Sequence, residues 1–466
     1  MGLTRLPASM LTGLAAEVAG IAPVYPSRSA ALAALPALAE GTVFHTEGLA
    51  LRKQAGGAGV AGLADAVQAH GPSIDLRPYI DGAPADLRPA LDWAISVAAT
   101  AYAQTGVRHT VHGGGLTVPL SAPITGGDRR GVRLDGMHCV PAGGSSWSAD
   151  TAMFMLNAGS GSGLGSGSWF WEFGSTFSAN GLQSCPGLIR AQSIEFLTLH
   201  GVQARGFTEF CLRTRTKCGQ LKVTGCNFGQ RLWGETGWNQ EADNTAILYD
   251  IATADYALIG NIGYYAGTII KIATNGPGQL IGNHVWNDRP SPSGYPAATF
   301  TTDPIAIEVD APNCTMVGNY IDNGLLLINA DLFATTSAGM ILVANRFQRN
   351  ANGVNAKILR LTTSTANQAL AGLIMGLNSF PTSIAAPVQM SASGSGSYVA
   401  PHLLQCVIEG NLRSDGAAVA GLPRHLVPNA MALLEGNIGM ALKSGLNQWG
   451  KMQLNDARNG VLVSAL

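Results

Sequence analysis

Short runs of alternating apolar and polar residues recur along the second half of the chain. In IAIEVDA, Ile305, Ile307 and Val309 point one way from an extended backbone, and Ala306, Glu308 and Asp310 point the other. AILYDI, TIIKIAT and KILRLT have the same short, β-branched character. A second motif follows at a distance: an aliphatic pair, usually a glycine, and an asparagine. It occurs in YALIGNI, GQLIGNHV, CTMVGNYI, QCVIEGNL and ALLEGNI. Turn residues such as NGPG (Asn275 to Gly278) and APN (Ala311 to Asn313) lie between the two. The pattern predicts a unit of strand, turn, strand and Gly-Asn bend.

The asparagines of this motif are Asn227, Asn261, Asn283, Asn319, Asn345, Asn378, Asn411 and Asn437. Their spacing averages 30 residues and never falls below 22. A strand-only repeat of that length cannot bury its own inner face, so the repeats must stack, about 4.8 Å apart. The expected fold is therefore all-β, a parallel β-helix. A leucine-rich solenoid would need a shorter, more constant period with leucines at fixed offsets. The asparagine is expected to adopt a left-handed conformation at the bend and to stack its amide on that of the next coil. The glycine lets the chain turn there without a Cβ clash.

An open end of such a stack exposes unpaired strand edges and must be covered. Residues 84–104 supply a capping α-helix, with Leu87, Leu91, Ile95, Ala98 and Tyr102 on one face and Asp86 near the N-terminus. GVRHTVHGGGLTVPLSAPI follows and predicts two short strands around Gly113–Gly115. The helix, the short strand, the glycine-rich bend and a strand ending in LSAPI resemble the start of the pectate-lyase-like, single-stranded right-handed parallel β-helix domains of bacteriophage tailspikes and head spikes. The resemblance spans roughly residues 72–440. It departs at the beginning, where DGAPADLRPA stands in place of the usual G-D-G-x-T-D-D.

Residues 1–71 resemble the small N-terminal adaptor region by which such spikes attach to the virion. Within it, FHTEGLALRK is expected to form a strand pair and residues 54–62 a flexible joint. A short tail, 441–466, closes the chain. The resemblance implies a homo-oligomer, a trimer first, assembled in the bacterial cytoplasm and carried on the surface of a phage or phage-like particle. It implies attachment to host surface or capsular polysaccharide, contact with other virion proteins through the N-terminal region, and no cofactor. The same fold also houses polysaccharide depolymerases, hydrolases or lyases, and purely structural spike components.

Composition narrows the picture. Charged residues make up 12% of the 466, about half the usual share, and 59 residues are glycine. A formal net charge of −1 gives no support to a nucleic-acid partner. The seven cysteines include no CxxC pair and read as small buried apolar residues. No apolar run approaches the ~20 residues of a membrane helix, so no membrane insertion is expected. His109 and His112 sit i, i+3 on a strand, which places them on opposite faces and argues against a metal site.

Candidate chemistry comes from the repeat used as a ruler. The widest gaps, Asn227 to Asn261 and Asn283 to Asn319, contain RLWGETGWNQEADN (231–244) and WNDRPSPSGYPAATFTTD (286–303). Both leave just after the Gly-Asn bend and should emerge on one side, two coils or about 10 Å apart. Trp233, Glu235, Trp238, Glu241 and Asp243 in the first loop, and Trp286, Asp288 and Tyr295 in the second, form an aromatic and acidic set. Sugar rings present apolar faces and hydroxyl edges, which aromatic plates and carboxylates match. WFWEF (169–173) is a second, weaker candidate for stacking. Cleavage would require paired carboxylates; Asp250, Glu308 and Asp310 are candidates on a shared outer face. Lys271 is expected between Asp250 and Glu308, where a salt-bridge ladder would form instead.

Overall fold

In the computed structural model the described residues are 22–40, 42–46, 49–53, 66–68, 73–77, 80, 84–126, 129–157, 170–215, 218–229, 246–274, 276–287, 305–310, 313–329, 339–348, 358–362, 369–371, 373–381, 388–389, 402–404, 406–409, 412–413 and 432–435. They form a right-handed parallel β-helix. Each coil carries three strands rather than the expected two. One coil runs Ile247–Ile251, Tyr256–Ile259 and Ile262–Tyr264, and the next runs Thr268–Ile272, Gly278–Ile281 and His284–Trp286. The third strand was hidden because it is only three residues long and begins directly after the Gly-Asn bend. First strands stack in a ten-stranded parallel sheet. Second and third strands stack in register beside it.

Inward positions build one continuous core. Tyr249, Ile270, Ile307 and Leu326 line up on the first strands, Leu258, Leu280, Met316 and Leu342 on the second. All are buried. Ala306 is buried as well, contrary to simple alternation, as is Ile269 at the same level of the preceding coil. The described cysteines are buried free thiols, and burial pushes that of Cys226 up to about 12.

The asparagine ladder exists, with two corrections. Asn261, Asn283, Asn319, Asn345 and Asn378 are buried. Each amide oxygen from Asn283 to Asn378 accepts from the backbone N–H and the side-chain Nδ2 of the preceding asparagine, at 2.9–3.1 Å. Each Nδ2 from Asn283 to Asn378 also donates to a carbonyl of the preceding coil, as Asn283 does to Leu258 at 2.9 Å. Asn227 is not a rung: Cys226 holds that place, donating its N–H to the Asn261 oxygen at 2.9 Å, and Asn227 begins the following strand. The left-handed residue is also not the asparagine but the one before it. Gly225, Gly260, Gly282 and Gly318 have φ between 61° and 64°, and Ala344 and Leu377 adopt the same conformation. The side chain of the asparagine must point inward to meet its neighbours, so the turn falls to the preceding residue. Asn411 and Asn437 lie outside the described residues.

The capping helix spans Arg88–Thr105 and buries Leu91, Ala94, Ile95 and Ala98, with Gly106 ending it at φ 69°. Asp86 accepts from the Arg88 and Ser121 amides and from the Ser121 hydroxyl, tying the helix start to the first coil. The two strands expected around Gly113–Gly115 are one strand, His109–Leu120, with an irregularity between His112 and Leu116. Gly113 is required there because a Cβ would lie 2.5 Å from that of Met137. Near the N-terminus, Val43–Thr46 and Leu49–Lys53 pair antiparallel, as FHTEGLALRK implies. Residues 54–62 lie outside the described residues.

Candidate functional site

The two oversized gaps open at the same corner. One leaves after Asn227–Gly229 and returns at Ile247; the other leaves after His284–Trp286 and returns at Ile305. Trp233, Glu235, Trp238, Glu241, Asp243, Asp288 and Tyr295 lie outside the described residues, so of the expected ligand set only Trp286 is described. The third strands that carry these loops are described in detail. In each, the middle residue points in: Phe228, Gly263, Val285, Ile321 and Phe347. The residues on either side point out and form two parallel rows.

One row runs Asn227, Ile262, His284, Tyr320, Arg346; the other runs Gly229, Tyr264, Trp286, Asp322, Gln348. Two short corners, at Tyr265 and Asn323, turn the chain with φ of 53° and 52°. Tyr264 leans over Gly229, where a Cβ would meet its ring at 2.1 Å. Tyr265 packs against both Tyr264 and Trp286, with ring centroids 5.7 and 5.0 Å apart. Trp286 remains 36% exposed, and Ile262, in the other row one coil back, 42%. The result is an aromatic strip next to the exits of both loops, with Tyr264 and Tyr265 edge to face and Trp286 tilted 46° to Tyr265.

The next two coils add polar groups. The His284 and Tyr320 rings stack at 4.6 Å, and the Arg346 guanidinium lies 5.2 Å from the Tyr320 centroid. The Tyr320 hydroxyl donates to Gln348 Oε1 at 2.6 Å and approaches Asp322 Oδ2 at 3.4 Å. His284 Nε2 and Asp322 Oδ1 are buried without a hydrogen-bond partner. Burial raises the Asp322 carboxyl above its ordinary range, against the opposing pull of His284, Tyr320 and Arg346. Sequence reasoning missed this strip because it is spread one or two residues per coil over 80 positions. Three-residue strands carry no visible alternation, and only the register brings His284, Tyr320 and Arg346 into line.

The candidate carboxylates occupy a different face. Arg190, Arg213, Asp250, Lys271 and Glu308 form one outward row on the first-strand sheet. Lys271 does fall between Asp250 and Glu308. Asp250 is buried and held by Arg213 Nε at 2.8 Å and Arg215 Nη1 at 3.2 Å. Asp150 and Glu209 complete this network on Arg213, at 2.8 and 3.2 Å. Lys271 Nζ binds Glu308 at 2.9 Å and Asp310 at 3.2 Å. Burial and the Asp310 charge raise the Glu308 carboxyl, and Lys271 opposes them. These groups pair with cations inside a salt-bridge ladder, and Trp286 lies on another sheet.

Elsewhere, Trp171 and Phe173 of WFWEF are core residues, and the outward Phe170 stacks on Phe196 at 4.6 Å with Arg108 above it at 4.2 Å. Trp169 lies outside the described residues. His109 is buried and bonded to the Val107 carbonyl at 2.8 Å, whereas His112 is on the opposite, exposed face.

No protein-family model matches the sequence, and no curated protein is similar to it at the sequence level. Among solved structures, the chain is similar to a tailspike protein of E. coli bacteriophage HK620, in a substituted form complexed with a hexasaccharide. The TM-score is 0.51 at 12% identity, over 82% of this chain and 75% of that one. A second substituted form of the same tailspike, complexed with a pentasaccharide, gives 0.48 at 12% identity, over 84% and 77%. The fold of this chain is thus the parallel β-helix seen in tailspikes.

Proposed function

We propose that the chain is a spike protein of a phage or phage-like particle that binds host surface polysaccharide along its third-strand face. The observation that carries this reading is the strip of outward aromatic rings, Tyr264, Tyr265 and Trp286, continued by Tyr320 and flanked by two aromatic, acidic loops. An exposed indole among outward tyrosines, with carboxylate and amide groups beside them, suits a chain of sugar rings, and the tailspike of like fold is complexed with oligosaccharides. Residues 1–71 would attach the rod to the particle, the β-helix domain would span 72–440, and the protein would act as a homotrimer on the virion surface.

The test is adsorption of purified protein to host cells. Trp286→Ala with Tyr264→Ala should lower adsorption at least tenfold, about 1.4 kcal/mol, while the melting temperature is retained. Unchanged adsorption would sink the reading. Particle-free mass measurement checks the trimer.

A depolymerase is the second reading, and the raised Asp322 carboxyl favours it. A general acid needs a raised carboxyl beside the sugar, and Asp322 combines the direction of that shift with an Oδ1 buried without a hydrogen-bond partner. Release of reducing ends from purified capsule, lost in Asp322→Asn with binding retained, would establish cleavage at this face. Release that persists in Asp322→Asn would move the chemistry elsewhere.

A further inference from the structure

We propose that the polysaccharide bound by this face carries an anionic residue, a carboxylated sugar or a phosphodiester, and that Arg346 receives it. This rests on the reading of the third-strand face as the polysaccharide site and goes beyond it by naming the ligand's charge. Cations on this solenoid are generally spoken for. Arg129, Arg133, Arg190, Arg213 and Arg215 each sit on a carboxylate at 2.6–3.3 Å. Arg346 is different. It is exposed, its contact is the face of Tyr320, and no carboxylate among the described residues lies within ion-pair distance of it.

The orientation matters as much as the missing partner. A guanidinium beside an aromatic ring is held by cation–π attraction while its N–H edge stays free. That edge is a fork that matches a carboxylate or phosphate in two parallel hydrogen bonds. Tyr320 is itself fixed by the hydroxyl bond to Gln348 and by the stack on His284, so the support under Arg346 is rigid. Asp322 is the acidic neighbour on this face. Its carboxylate takes the approach of the Tyr320 hydroxyl and lies in the adjacent row, where it feels Arg346 without forming an ion pair with it. Trp286 lies two coils away, about 10 Å along the axis. A sugar stacked on Trp286 therefore leaves a neighbouring residue of the same chain over Arg346.

The experiment is a binding screen of the full-length protein against an array of bacterial polysaccharides with neutral, uronate-containing and phosphodiester-containing members. The glycans bound should be anionic, and the uronate and phosphodiester arms identify which anion is read. Arg346→Met should weaken binding at least tenfold and flatten its dependence on NaCl between 50 and 500 mM, whereas Arg346→Lys should keep part of the affinity. The melting temperature of Arg346→Met should match the wild type. Preferred binding of neutral glycans, or equal binding by Arg346→Met, overturns the proposal. If Trp286→Ala abolishes that neutral binding, the polysaccharide-site reading stands without it. Binding of no glycan at all overturns both.

Discussion

The coils before Cys226 and those after it solve the same bend in different ways. In the earlier coils the ladder position holds Phe177, Val202 and Cys226, and the interior is filled by volume. Phe154, Phe173 and Phe177 pack edge to face with centroids 5.1–5.8 Å apart. In the later coils five asparagines replace them with a line of buried amides. An asparagine at this point satisfies its own four hydrogen-bonding sites and a backbone carbonyl that the three-strand coil would otherwise bury unpaired. The outer face changes at the same place. Its two outward rows carry Ser178, Gln203 and Asn227 beside Asn180, Arg205 and Gly229 in the earlier coils, and Ile262, His284 and Tyr320 beside Tyr264, Trp286 and Asp322 in the later ones. The amide ladder thus occupies the bends that open the short strands carrying the aromatic strip. A bend fixed by directional hydrogen bonds holds those strands in register more tightly than apolar packing can.

The sharpest way to break the contrast is to remove one rung. Asn319→Ala leaves the Asn283 N–H and one of the two Asn283 Nδ2 hydrogens without a partner (the other stays on the Leu258 carbonyl), and the bond to the Leu280 carbonyl unmade, in a site that excludes water. At about 1–3 kcal/mol for each orphaned group, the loss should exceed about 3 kcal/mol. The equivalent truncation in the earlier style, Cys226→Ala, removes one small apolar group and should cost about 1 kcal/mol. Denaturant midpoints of the two variants measure the difference. Equal losses would mean that the amides act only as filler.

The first-strand face offers a second contrast, of intermediate size. Around Arg213 three arginines of the earlier coils, Arg190, Arg213 and Arg215, meet Asp150, Glu209 and the first acid of the later coils, Asp250. The later coils set Lys271 alone against Glu308 and Asp310. Lys271→Met therefore leaves two half-buried acids side by side and should cost roughly 1–3 kcal/mol at pH 7. The pH dependence follows from the raised Glu308 carboxyl. A carboxyl held higher in the folded chain contributes stability that is present below its unfolded value and is lost as pH rises through its folded value. Removing the lysine raises the Glu308 carboxyl further, so the deficit of Lys271→Met should be small near pH 4 and full by pH 7. Glu308→Gln should be close to neutral at pH 7, since one lysine then faces one acid. A Lys271→Met deficit that grows towards acid would refute the assignment.

How much of this was legible in the sequence follows from the same contrast. The repeat was visible only where asparagines mark it, and the capping helix was visible from its apolar face, Leu87 to Ala98. The earlier coils carry no polar landmark, because Phe177, Val202 and Cys226 look like any buried residues. Asn227 was misplaced for that reason: it stands one residue after the true position, and a one-residue slip turns a side chain from the core to the surface. The long loops stood out as gaps in the count, and the corner they leave from was correctly inferred. The strip that crosses that corner was not legible. His284, Tyr320 and Arg346 lie 36 and 26 residues apart in sequence, and only the stacking of coils makes them neighbours.

The smallest effects come from the residue that makes the turn. Gly282 has φ 61°, and a Cβ added there would touch nothing within 4 Å, so Gly282→Ala isolates the conformational term. A left-handed alanine costs about 1–2 kcal/mol, and restricting the unfolded chain returns about 0.4–1 kcal/mol, for a net loss near 1 kcal/mol. Ala344 already occupies the equivalent place in a later coil at φ 56°. Ala344→Gly should therefore run the other way and stabilise by up to about 1 kcal/mol. The two substitutions should shift the denaturant midpoint in opposite directions with comparable size. If both destabilise, Ala344 contributes through its methyl packing, and the rung at Asn345 is held by its side chain rather than by the turn that precedes it.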